Sequence, residues 1–230
     1  MKKRFTQVLV LSIIFSLFIQ TSAFAYDFIN PDPDKNYSFS RWNAKVYAET
    51  YANYPGNSAY YNYMSSGGDC TNFVSQVLHA GGMIYLGSPN YSSINSWYYN
   101  GSNTPYRSYS WTGVTNFMQH WANYNGVGTN RAYSFKAYSL DSALYDDATY
   151  RAIYKDLYEG DVIQYKGNGG IDHSQVVHRY DSTDLFMAQH GTTADRFWSN
   201  VSLRTYLDWV KRSGYTNVTI YTIRMKRAVT

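Results

Sequence analysis

Hydrophobic residues change their period along this chain, and that change limits the possible folds more than any other feature. Up to about residue 124 the apolar positions recur at helical spacing; after residue 160 they alternate, as in half-buried strands. A first helix is expected from Ser40, a good N-cap, to about Asn53, with Trp42, Val46, Tyr47 and Tyr51 as its apolar positions. A second is expected over Thr71 to Ala80, where Phe73, Val74, Val77 and Leu78 form one stripe. Asp69 is its candidate N-cap, and Gly81-Gly82 its stop. A third is expected over Trp111 to Tyr124, capped by Ser110 or Thr112. The Tyr-, Ser-, Asn- and Gly-rich residues 83–110 read as a long surface excursion, and the polar stretch to about Asp156 favours no one element. Strands are then expected over Asp161 to Tyr165, His173 to Tyr180 and Leu185 to His190, the last two joined by a turn at 181–184. A short helix over Leu203 to Val210 and a strand over Thr216 to Met225 complete the pattern. Helices precede strands, so the class is α+β.

The chain has one cysteine. No internal disulfide and no multi-cysteine metal or iron–sulfur site is possible, so apolar burial must hold the fold. Residues 1–25 have the form of a secretory signal: a basic Met1-Lys2-Lys3-Arg4, an apolar run from Val8 to Ile19, and an Ala23-Phe24-Ala25 cleavage pattern. The expected mature chain is a single unit over 26–230, secreted or held at the cell wall, with no stable membrane insertion after cleavage. Residues 26–37, with Pro31 and Pro33, read as an extended leader. Lys2, Lys3 and Arg4 supply three of the 20 basic residues, which leaves 17 against 16 acids in the mature chain. The basic balance belongs to the signal and gives no support for a nucleic-acid partner.

Cys70 stands at the first turn of the second expected helix, just after Gly67-Gly68-Asp69. Free N–H groups and the helix dipole at such a position favour thiolate. Asp69 opposes this unless capping occupies its carboxylate. A buried, inert cysteine is the competing reading. A thiolate enzyme needs a histidine, and there are five: His79, His120, His173, His178 and His190. His79 lies more than two turns along the helix from Cys70. His173 and His178 are five apart and face opposite sides of a strand, which argues against one shared metal; no metal and no cofactor are expected. If the hairpin turn is even, paired residues sum to 365, and His190 lies diagonal to His173 on the same face. An odd turn puts Gln189 there instead.

The run Gly67-Gly68-Asp69-Cys70-Thr71-Asn72-Phe73-Val74-Ser75-Gln76 resembles the signature of a bacterial "putative amidase domain" family, which is similar to the NlpC-type cell-wall peptidases of the papain-like cysteine hydrolases. Weaker matches follow in order: Tyr47 to Ala52, Ser110-Trp111-Thr112, Gly160 to Tyr165, Asp172-His173-Ser174-Gln175-Val176-Val177, and Ala188-Gln189-His190. The resemblance implies a helix-borne Cys70 nucleophile packed on an antiparallel sheet that carries His173 as base. His190 is the implied third residue, and the Cys70 backbone N–H an oxyanion donor. The implied activity is amide hydrolysis through a thioester, with peptidoglycan or a related peptide as substrate. Acyl transfer at the same site, or a non-catalytic wall-binding domain, remain the alternatives. Nothing in the sequence fixes an oligomeric state.

Overall fold

The computed structural model describes residues 28–29, 38–87, 92–101, 106–170 and 172–226. The signal reading of 1–25 and most of the expected leader lie outside the described residues. In chain order the elements are β1 (Phe28–Ile29), α1 (Arg41–Tyr51), α2 (Cys70–Ala80), β2 (Tyr99–Asn100), β3 (Tyr106–Arg107), α3 (Tyr109–Thr112) and α4 (Val114–Ala122). They continue with β4 (Ser134–Ser139), α5 (Leu140–Tyr145), α6 (Asp147–Asp156), β5 (Val162–Asn168), β6 (Asp172–Tyr180), β7 (Leu185–Gln189), β8 (Trp198–Ser202), α7 (Leu203–Arg212) and β9 (Thr216–Arg224). Seven strands form one sheet in the order β1-β4-β9-β5-β6-β7-β8, with antiparallel neighbours. This is the expected α+β class.

Strand alternation feeds two cores. Val162, Val176, Ala188 and Ile223 face the layer of α1 to α4, where Phe73, Val74, Val77 and Leu78 are fully buried. The adjacent Ile163, Val177 and Met187 face the other side, against Tyr150 and Ile153 of α6 and Leu203, Leu207 and Val210 of α7. Alternate residues thus fill separate apolar layers, because successive side chains of a strand point to opposite faces.

Three expectations are corrected. Ser40 caps α1 by accepting from the Asn43 N–H at 3.2 Å, and Tyr47 and Tyr51 pack against the core as expected, but Trp42 and Val46 do not. Trp42 is 68% exposed, while Ala44 and Ala48 are buried. The approach is too close for more: a Cβ at Gly81 or Gly160 would lie 3.1 Å from the Ala44 Cβ and closer still to the Phe39 ring. Small residues form the part of this face that comes closest. The described part of residues 83–110 is not a surface excursion. Trp97 is fully buried, lies 4.6 Å from Trp111 between ring centroids, and donates through Nε1 to Ser75 Oγ at 3.1 Å. Its aromatic anchors outweigh its polar composition. The single expected helix over Trp111 to Tyr124 is broken at Gly113, which is extended, and α3 begins after Ser108.

Arg41 and the fully buried Asp161 join three elements. Arg41 donates to Asp161 Oδ1 and to the Glu159 and Met225 carbonyls, each at 2.8 Å. Asp161 also accepts from the Met225 and Tyr158 N–H groups at 2.8 Å. Burial pushes its carboxyl up to about 6, against the pull of Arg41. Removing one member of such a pair leaves a charge and two N–H groups unmatched. Asp161→Ala is expected to lose about 3 kcal/mol or more of folding stability, seen as a lower urea midpoint; an unchanged midpoint contradicts this account.

Candidate active site

The loop before α2 is shaped by one carboxylate. Asp69 stands at the N-cap position but makes no side-chain cap, which corrects the expectation. Its Oδ1 accepts from the Tyr63 N–H at 2.9 Å and from Asn72 Nδ2 at 2.8 Å. Its Oδ2 meets His190 Nδ1 at 2.6 Å. The first N–H groups of a helix have no partner inside it, and no side-chain cap takes them here. Gly67 and Gly68 precede Asp69 with φ of 103° and 117°, the left-handed region that glycine tolerates.

The residue that follows each reacting candidate ties the helix to the sheet. Thr71 Oγ1 and Ser174 Oγ are 2.9 Å apart, and Gln164 Nε2 donates to Ser174 Oγ at 2.7 Å. Cys70 and His173 sit one residue back from this contact, and both open on one pocket with Gln189, at the end of the sheet beside α7. His79 bonds Met83 O, and His120 bonds Ile94 O in the core; neither lines that pocket. His178 faces α1, with Nδ1 3.3 Å from Glu49 Oε1, and so points away from His173 as expected.

The hairpin corrects the expected place of His190. Tyr180 faces Leu185 and Arg179 faces Phe186, the register of an even turn. At His178 the register slips, and Val177 faces Met187 while Val176 faces Ala188. This bulge puts an extra residue in β6 and reverses which residues of β7 share a face with His173. Gln189 takes that position, and its Oε1 lies 2.9 Å from His173 Nε2. His190 turns to the α2 side, stacked between Phe73 and Phe197 with each ring centroid at 4.0 Å. Its Nε2 meets the Tyr51 carbonyl at 2.8 Å.

Gln189 is itself oriented. Its Oε1 accepts from Gln175 Nε2 at 2.5 Å, and its Nε2 donates to the Arg196 carbonyl at 3.2 Å. Tyr165, fully buried, donates its hydroxyl to Gln175 Oε1 at 2.7 Å. The carbonyl end of Gln189 can only accept, so the His173 proton sits on Nε2 and Nδ1 is the basic nitrogen. Gln175 and Tyr165 were not singled out from the sequence. Period-two spacing with His173 and Gln189 is the one signal that marks them.

The electrostatics differ from the helix-dipole expectation. Burial pushes the Cys70 thiol up from its ordinary value, against hydrogen bonds from Thr71 and from Ser174; the Asp69 charge adds to the rise. Burial also pushes the His173 imidazole down to about 4; the Gln189 bond opposes this and the Arg196 charge adds to it. At neutral pH the resting pair is therefore thiol and neutral imidazole, because desolvation outweighs the dipole at this helix start.

Fold and pocket define the class: a mixed α and β protein in which one site gathers a thiol, an imidazole and a side-chain amide. The chain belongs to the family described as "Putative amidase domain", which matches residues 38–221 and so covers every element of the pocket. It is similar to the "Uncharacterized protein YhbB" of Bacillus subtilis (strain 168), with 33% identity over 167 residues, 71% of this chain and 45% of that protein. The chain thus spans less than half the length of that relative. No solved structure matches the chain. The family is amidase-like, which suggests a hydrolase.

The His173 environment sets a pH test. In the unfolded chain the imidazole titrates near 6.5, and in the fold near 4. Between those values the unfolded chain binds more protons, so this residue's contribution is complete above about 6.5 and is lost as the pH falls toward 4. Urea midpoints are expected to drop through that window, and His173→Gln is expected to flatten that part of the curve. An imidazole proton resonance that titrates near 6.5 in the folded protein contradicts the assignment.

Proposed function

We propose that this protein is an exported cysteine amidase or peptidase that hydrolyses an amide bond in peptidoglycan or a related peptide. The observation that carries the reading is the shared pocket: Cys70 and His173 both open on it, and Gln189 holds His173 with Nδ1 left basic. A helix-borne thiol, a sheet-borne imidazole and a polar residue on the next strand are also the parts that the papain-like and NlpC-type resemblance implies. The signal-like residues 1–25 support export, and hence a substrate outside the cell.

In this mechanism the Cys70 proton moves to His173 Nδ1 as Sγ attacks the amide carbonyl carbon. The negative charge that forms on the carbonyl oxygen lies by the start of α2, where the Cys70 N–H serves as donor. The Nδ1 proton then passes to the departing amine, and the carbon–nitrogen bond breaks to leave a thioester. His173 takes a proton from water as it attacks the thioester, the acid leaves, and the thiol regains its proton. Gln189 keeps the Nε2 proton in place throughout and supports the imidazolium while it exists. Since the resting pair is neutral, the thiolate forms only as substrate enters.

Purified wall fragments supply the test. Cys70→Ala is expected to lower amine release by about a thousandfold or more, as removal of a nucleophile does. His173→Ala is expected to do the same, and Gln189→Ala to lower kcat with little change in KM. Amine release by Cys70→Ala at the wild-type rate overturns the mechanism.

A further inference from the structure

We infer that Arg196 is the anchor of a substrate carboxylate, so that the pocket selects a peptide bearing a free carboxylate beside the bond to be cut. This rests on the hydrolase reading above for its place in a reaction, but not for the binding itself. Arg196 lines the pocket that holds Cys70 and His173, and its side chain is exposed to it. Among the described residues no acidic side chain pairs with its guanidinium. The other charged side chain of the pocket wall, Asp172, is held by Lys166 at 3.2 Å. A free guanidinium presents a planar fork that matches a carboxylate with two parallel hydrogen bonds.

The backbone under Arg196 is built for this position. Its carbonyl accepts from Gln189 Nε2, the other end of the amide that orients His173. Gly191 lies beneath it so closely that a Cβ there would be 2.4 Å from the Arg196 Cβ. Phe197, the next residue, is buried against the His190 ring. The base and the anion anchor thus share one support. Opposite, Tyr206, Trp209 and Tyr215 form a continuous aromatic wall, with neighbouring ring centroids at 5.4 and 6.2 Å. Trp198, Tyr206 and Trp209 also line an adjoining groove along β8, which leaves room for the rest of an extended substrate.

The charge has a second effect. Arg196 is near enough to disfavour a proton on His173. A carboxylate on Arg196 cancels that influence, so the selected substrate also makes its own base stronger. The groups that bear on His173 are Asp172 on its own strand, Gln189, Arg196, Tyr165, Tyr206 of α7, and Cys70 across the pocket.

The test uses a soluble muropeptide in two forms, one with free carboxyls and one with the carboxyls converted to carboxamides. Binding is measured to the full chain carrying Cys70→Ala, alone and with Arg196→Met or Arg196→Lys. The free acid is expected to bind about tenfold more tightly than the carboxamide, the size of one hydrogen bond to a charged group. Arg196→Met is expected to remove the preference and Arg196→Lys to keep part of it. The acid form is also expected to raise the His173 titration above its unliganded position, by an imidazole resonance, and Arg196→Met to cancel that rise. Equal binding of the two forms, or a preference that survives Arg196→Met, overturns the inference. Turnover by the wild-type chain separates the two readings. Hydrolysis of both forms with no binding preference sinks the carboxylate site alone. An Arg196-dependent preference with no amine released from either form sinks the hydrolase and leaves the site standing.

Discussion

The buried pairing of Asp69 with His190 is the interaction on which the site depends. It joins the residue before the thiol to the residue after Gln189, and so fixes both from one contact. Both ring nitrogens of His190 face acceptors, Asp69 Oδ2 at 2.6 Å and the Tyr51 carbonyl at 2.8 Å. The value of the pairing is positional. Asp69 holds Tyr63 and Asn72 as well, which sets the loop that delivers Cys70. The Thr71–Ser174 contact works the same way one residue along. Flanking residues make the ties, and Cys70 and His173 line the pocket.

The class, α2 with its buried stripe, the C-terminal strands and α7 were all legible, because each depends on a local period. That Cys70 and His173 line one pocket agrees with the placement read from the cysteine block and the His-Ser strand. Three things were not legible. The small-residue part of the α1 face lies where Ala44 comes near Gly81 and Gly160, and no helical period carries that distance. The buried Trp97 segment hid in a polar composition, because a few aromatic anchors decide its position. The exchange of Gln189 for His190 followed from one slipped residue at His178.

The pocket also shows why a thiol at a helix start need not be a thiolate. Free N–H groups and the dipole favour the anion, but Cys70 is buried beneath a sheet end and the Asp69 charge is next to it. Desolvation acts on His173 in the opposite sense, and both groups are driven to their neutral forms. A neutral pair is less exposed to stray oxidation or alkylation than a standing thiolate. In the proposed mechanism that protection lasts until substrate enters the pocket.

The bulge at His178 has a consequence for how such a hairpin can vary. One residue of offset exchanges the roles of two neighbours, an amide that steadies the imidazole and a ring locked in the core. A single insertion or deletion within the paired part of β7 before Gln189, with the turn unchanged, would send the amide inward and the ring to the pocket. Changes of two residues would leave both where they are. Parity of the paired stretch, more than its length, keeps the amide on the pocket side.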